Sequence, residues 1–300
     1  MIAYKEKVTN HTESNGVKVP SFISNASLNR DEQVIDGFGT EWEKFSSFSK
    51  DEIAEIGDAY FSLLKETDID ENSVALDIGC GTGRWAMYLA DKVKYVEAVD
   101  PSKAVFSAVK LTKEIDNIRI SHCDIDTIPF AEESFDLVYS LGVFHHLPDT
   151  QAAISKAVNF VKPEGYFLVY LYYSLDNRGA AFKLLFHISN ILRKVVCVLP
   201  ERIKLFVCDI LAIVLYMPFV TLAKVVKAVN PKGSLWKKIP LSAYAVCSFN
   251  IIRNDALDRF GTKLEKRFSR DEICDMLKQA GLREVKCSDD FPYWVGIGKK

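Results

Sequence analysis

The stretch SVALDIGCGTGRWAMYLADKVKYVEAVD, residues 73–100, decides the fold class. It opens on an apolar run, Val74 to Ile78, broken by glycines 79, 81 and 83, and continues as RWAMYLADKV, a segment of helical character. YVEAVD, at 95–100, is a second apolar run that ends on an acid. A short buried strand, a glycine turn, a helix and another strand form the repeating unit of a parallel sheet covered by helices. The pattern extends outward. SKAVFSAVKLTKEI (102–115) reads as a helix, and IRISHCD (118–124) and FDLVYSLG (135–142) as strands. TQAAISKAVNFVK (150–162) reads as a helix, and GYFLVYLYY (165–173) as a fifth strand behind the turn KPEG. The expected fold is therefore α/β, a doubly wound Rossmann-like sheet that is mostly parallel.

Ligands on such sheets bind at the carboxyl ends of the strands, where the unusual residues of this chain gather. Asp77, Gly79, Cys80, Gly81 and Gly83 close the first strand, and glycines there let the backbone turn sharply and approach a ligand. Asp100 closes the second strand, nineteen residues after Gly81. A carboxylate at that place accepts hydrogen bonds from ribose hydroxyls and points to an adenosine-containing cofactor. A dinucleotide fingerprint would need glycine at position 84, which is Arg84.

The blocks VALDIGCGTGRWA, VEAVDPS, CDIDTIPF, FDLVYSLGVFHHLPD and VKPEGYFLVY follow one another over roughly residues 70–175. In that order they resemble the class I S-adenosylmethionine-dependent methyltransferases, of the branch called type 11. The resemblance implies that Asp77 and the 79–83 loop hold the methionine portion and that Asp100, followed by Pro101, binds the ribose. It further implies that Asp124 contacts the adenine amino group, with Cys123 or Ile125 packed on the ring, and that Leu141 and Gly142 line the side near the reactive methyl. For Asp124 the residue type alone equally suits a turn. DGFGTEWEKF (36–45) spaces Phe38, Trp42 and Phe45 as on a helix, either packing on the sheet or serving as a lid over the cofactor. S-adenosylhomocysteine is the implied product, and no metal site is read from the histidines or cysteines.

Methyl transfer from a sulfonium is an in-line displacement that needs a base only when the nucleophile must lose a proton. His145 and His146, after the fourth strand, are the candidate bases, with a structural role as the competing reading. YLYYSLDNRG (170–179) ends the fifth strand and offers Tyr172, Tyr173, Asp176, Asn177 and Arg178 as candidate substrate contacts; Tyr244 and Arg253 are further candidates. The expected function is methyl transfer to a small molecule, with oxygen favoured. The alternatives are a lipid-linked or membrane-associated acceptor and a non-catalytic S-adenosylmethionine-binding partner.

The 300 residues divide, on this reading, into a polar leader (1–30), a lid helix and core (31–177), a helical insertion (178–262) and a C-terminal helix with strands that complete the sheet (263–300), the last strand antiparallel. The insertion is unlike the rest. Residues 178–240 carry eleven Lys/Arg against Glu201 and Asp209, a net +9 in a chain whose total is −2, so the remainder carries −11. Within it, ILAIVLYMPFVTLA (210–223) is charge-free but interrupted by Pro218 and shorter than the roughly 20 residues of a membrane span. Two readings stand: a cap buried on the core or on a second subunit of a homodimer, and a basic amphipathic platform for anionic membrane. Few aromatics for base stacking argue against nucleic acid. The N-terminus shows no apolar signal region, and seven cysteines without a CxxC pair read as reduced thiols, so a cytoplasmic protein is expected, peripheral at the inner membrane on the platform reading.

Overall fold

The computed structural model describes the chain except residues 6, 9, 25–27, 45–49, 176–178, 232 and 289–293. At 40–44, 50, 52, 181 and 246 only the backbone is described. The chain divides into two compact units, residues 1–177 with 264–300, and residues 178–263.

The first unit is built on one nine-stranded sheet. Its strands are β1 (Asn10–Ser14), β2 (Val17–Ser21), β3 (Val74–Ile78), β4 (Tyr95–Asp100), β5 (Ile118–His122), β6 (Phe135–Leu141), β7 (Val161–Leu171), β8 (Arg283–Cys287) and β9 (Trp294–Lys299). Their order across the sheet is β1-β2-β5-β4-β3-β6-β7-β9-β8. The central strands are parallel, whereas β9 runs antiparallel to both β7 and β8. Every residue of β3 is buried, which is why VALDI reads as a continuous apolar run rather than an alternation. The chain steps outward from β3 to β5, then returns to β6 on the other side of β3. This reversal opens a crevice at the carboxyl ends of β3 and β6.

Helices cover both faces: α1 (Glu32–Lys44), α2 (Lys50–Tyr60), α3 (Arg84–Ala90), α4 (Ala104–Thr112) and α5 (Thr150–Asn159), with α10 (Arg270–Gln279) from the C-terminal segment. Asp149 caps α5 by accepting from Ala152 N at 2.9 Å, and Ser269 with Glu272 forms a capping box on α10.

The leader is not a loose polar segment. β1 and β2 form a hairpin that extends the sheet beside β5, and its turn is Asn15-Gly16 with φ of +50° and +79°. Asn-Gly supplies the two left-handed residues of a tight hairpin turn, so the signal was present between polar strands lacking an apolar alternation. Cys274 of α10 and Cys287 of β8, which no spacing rule pairs, lie side by side.

The second unit holds α6 (Ala180–Val196), α7 (Glu201–Leu211), α8 (Met217–Val229) and α9 (Phe249–Gly261). Pro218 does not end a helix. A π turn at Ala212–Tyr216 joins α7 to α8, and the helix runs on from Glu201 to Val229. The wider turn absorbs the hydrogen bond that proline cannot donate. Internal ties hold the unit together: Arg253 forks onto Asp209 (2.6 and 2.9 Å), Tyr216 Oη donates to Asp255 Oδ2 at 2.9 Å, and Arg193 Nη1 donates to the Thr262 carbonyl at 2.9 Å.

Gly16→Val forces a branched side chain into a left-handed turn, and should destabilise the first unit by about 1–2 kcal/mol in urea unfolding. An unchanged midpoint would show that the hairpin adds nothing to the core.

Candidate active site

The loop after β3 is wired to β4 through its backbone. Gly79 N and Cys80 N both donate to the Val99 carbonyl (2.8 and 3.0 Å), and Gly81 N donates to Asp100 Oδ2 at 2.9 Å. Gly79, Gly81 and Gly83 all have positive φ, at +81°, +53° and +79°. Gly79 is constrained twice, because a Cβ there would stand 2.5 Å from Val143 Cγ2. Asp100 Oδ1 accepts from Ser102 N (2.8 Å) and Ser102 Oγ (2.6 Å). Three of roughly four acceptor positions on this carboxylate are thus used, and Ser102 Oγ is the partner able to rotate away for a ligand hydroxyl. Burial raises the Asp100 pKa, and the Ser102 and Gly81 hydrogen bonds act against that.

Asp77 is the most unusual group in the first unit. It is 1% exposed and its Oδ2 has no hydrogen-bond partner. Burial pushes its carboxyl up to about 8; the Tyr139 hydroxyl, close by but outside good hydrogen-bond geometry, offsets part of this, and Asp100 adds to it. Thr82 Oγ1 is likewise buried and unpartnered. Unsatisfied buried polar atoms are rare and mark places where a ligand completes the set. A cationic ammonium beside Asp77 and a hydroxylated sugar beside Asp100 are what this cradle lacks, so the residues fit S-adenosylmethionine.

The adenine end is less open than its motif implies. Asp124 is engaged on both oxygens, with Oδ2 paired to Arg30 Nη1 at 3.2 Å and Oδ1 accepting from Asp126 N and Thr127 Oγ1. It therefore shapes a turn and holds Arg30, with three of roughly four acceptor positions used. Arg30 and Pro101 line a cavity of about 240 Å³ with Ser102, Lys103, Phe106 and His122. That is below the roughly 300–1,000 Å³ of pockets enclosing whole ligands, and enough for part of one. Cys123 and Ile125 are buried in the hydrophobic core beside it, and Leu141 is buried at the end of β6.

The two histidines, expected to be equivalent, are distinct. His145 is fully buried with neither ring nitrogen partnered, and burial, followed by the charges of His146 and Arg267, holds its pKa well below that of an ordinary imidazole. Its ring stacks on Tyr172 at 3.8 Å. His146 Nδ1 donates to the Leu264 carbonyl at 2.7 Å, so in the neutral ring Nε2 is the nitrogen without a proton. Phe38 of α1 packs on the His146 ring at 4.8 Å. Tyr172 faces this cluster, whereas Tyr173 points to the other side of the strand, 6.5 Å from the Trp294 ring, as strand alternation requires. Tyr173 is thus corrected from a substrate contact to a core residue.

Asp176, Asn177 and Arg178 lie outside the described residues, as do Phe45 and the Trp42 side chain. Tyr244 and Arg253 belong to the second unit, where Tyr244 packs on Tyr216 and Arg253 holds Asp209. Sequence reading missed Tyr60, whose ring lies 4.9 Å from Tyr170 and 5.1 Å from Trp85. The spacing Ile53, Ile56, Tyr60 is an amphipathic signal that could have found α2. Arg30 and Arg267, which reach the site from distant segments, leave no local signal.

The strand order, the left-handed glycine loop and the two strand-end carboxylates define a Rossmann-like methyltransferase core. Residues 76–169 match the family model described as methyltransferase domain. A methyltransferase of Mycobacterium bovis, Mb0092, itself uncharacterized, is 33% identical over 43% of this chain and 62% of its own length. Demethylmenaquinone methyltransferase of Staphylococcus saprophyticus is 32% identical over 34% of this chain and 46% of its own. The crystal structure of YcgJ from Bacillus subtilis aligns at 25% identity and a TM-score of 0.39, over 45% of this chain and 58% of that one. The chain thus spans about half the length of the relatives it matches.

An ammonium beside Asp77 favours its carboxylate, so binding below about pH 8 should release a proton and affinity should climb as pH rises toward that value. The sign is opposite for stability: the folded unliganded protein keeps a proton that the unfolded chain gives up, so it weakens over the same window. Titration calorimetry with S-adenosylhomocysteine in two buffers of different ionisation enthalpy should show the proton, and Asp77→Asn should remove it. Buffer-independent heats for the unaltered protein would contradict the assignment.

Proposed function

We propose that the chain transfers a methyl group from S-adenosylmethionine to a small-molecule acceptor, with oxygen as the accepting atom. The unsatisfied Asp77 carboxyl beside the glycine loop carries the first part of this reading. The cofactor, when bound, supplies an activated methyl on a sulfonium. The protein's own work is then to align the acceptor, exclude water and remove a proton. His146 supports the oxygen preference, because its tautomer leaves Nε2 as a proton acceptor while Leu264 holds the other side of the ring. Tyr172, Tyr60 and Tyr170 give that part of the site an aromatic character suited to a ring-bearing acceptor. The Staphylococcus saprophyticus relative, named demethylmenaquinone methyltransferase, supports an acceptor that carries a ring. A lipid-linked acceptor is the second reading, favoured by the apolar residues that the helical unit exposes.

Calorimetry should show S-adenosylhomocysteine binding and no heat with NAD, and Asp100→Ala should weaken binding by about 100-fold or more. NAD binding, or an unchanged affinity in the variant, would overturn the cofactor assignment. With labelled S-adenosylmethionine and a panel of phenols, quinols and carboxylic acids, the label should enter methyl ethers or esters. His146→Gln should lower that turnover by roughly 10²–10⁴ with cofactor affinity intact, whereas His145→Gln should act mainly through stability. Label appearing only on nitrogen or carbon would remove the oxygen assignment.

A further inference from the structure

The helical unit is built inside out at α6. Ser189, Asn190 and Arg193 face inward: Arg259 Nη2 donates to Ser189 Oγ at 2.9 Å, and Arg193 bonds Asn190 Oδ1 and the carbonyls of Thr262 and Lys263. Leu184, Leu185, Ile188, Ile191 and Val195 face outward, each more than half exposed. The long helix is apolar on both sides. Its inner stripe is Cys208, Ala212, Tyr216, Val220 and Ala223, all buried. Its outer stripe, Ile203, Phe206, Ile210, Ile213, Leu222 and Val225, is 41–66% exposed. Among the described residues, nineteen large hydrophobic ones are exposed, and all but Met1 and Leu28 lie in this unit. Scattered exposed apolar residues are ordinary in a soluble protein; two continuous stripes are not.

We propose that these two stripes dock in the plane of an anionic lipid surface, with the helices lying along the interface. Charge decides between lipid and a second copy. Residues 178–240 carry a net +9, so pairing two copies through this face sets like charges against each other, whereas anionic headgroups neutralise them. Lys183, His187 and Lys194 are exposed and fall, at about 100° per residue, along one flank of the α6 stripe, where an interfacial helix meets headgroups. The Glu201–Val229 helix is long and apolar enough to cross a bilayer. However, β7 and β9 are neighbours in one sheet on either side of the insertion, and a single crossing would part them. α6, with Lys183, Arg193 and Lys194 within its seventeen residues, offers no second span. Lying in the interface satisfies the apolar stripe, the basic flank and the sheet together, and requires nothing of the chemistry proposed above.

The test is flotation of the full-length protein with vesicles of phosphatidylcholine alone and of phosphatidylcholine mixed with phosphatidylglycerol, at low and high salt. The unaltered protein should float with the anionic vesicles, less at high salt and less with neutral lipid. Phe206→Ser with Ile213→Ser should cut the partition coefficient by about tenfold or more, since two side chains lose their apolar surroundings. Both positions are exposed, so circular dichroism and S-adenosylhomocysteine affinity should stay unchanged. Lys183→Glu with Lys194→Glu should abolish the preference for anionic lipid. The proposal is overturned if the unaltered protein stays below the vesicles. It is equally overturned if the serine pair floats as well as the original, or if sedimentation shows a stable dimer that this pair dissociates.

Discussion

The turn after β3 is the constraint on which the rest of the first unit depends. Two backbone N–H groups, from Gly79 and Cys80, share the Val99 carbonyl, and a third, from Gly81, reaches the Asp100 side chain. That places the loop against β4, sets Val143 over Gly79, and leaves Asp77 sealed behind it with one oxygen unsatisfied. A buried carboxyl without a partner opposes folding, and the surrounding parallel strands supply the stability that keeps it there.

Much of this architecture was legible because parallel strands covered on both faces read as uninterrupted apolar runs. VALDI, YVEAVD and FDLVYSL fall on β3, β4 and β6. What escaped reading lacked that signal. β1 and β2 are polar edge strands held by an Asn-Gly turn and by pairing to β5. Cys274 and Cys287 are brought together by the crossing of α10 and β8, and no spacing rule foretells that. Pro218 misleads for a different reason: the π turn that accommodates it is a backbone event with no residue signature of its own.

The site shows the same division. The glycine loop and Asp100 are local in sequence and carry a readable pattern; the separation of the two histidines does not. His146 owes its tautomer to the carbonyl of Leu264, 118 residues away, and His145 owes its depressed pKa to complete burial. Arg30 reaches Asp124 across 94 residues, a pairing that no local pattern announces. The helical unit adds the converse case. Its apolar content was plain from sequence, but only the packing of α6 around Arg193 and Arg259 shows that polar side chains share the inner face while an apolar stripe stays outside.

If the cradle between β3 and β4 holds S-adenosylmethionine, photo-crosslinking with the methyl-labelled cofactor, followed by peptide mapping, should place label in the peptides that carry Gly79–Gly83 or Asp100–Ser102. Excess S-adenosylhomocysteine should displace it. Label confined to other peptides, or label that S-adenosylhomocysteine fails to displace, would contradict that placement of the cofactor.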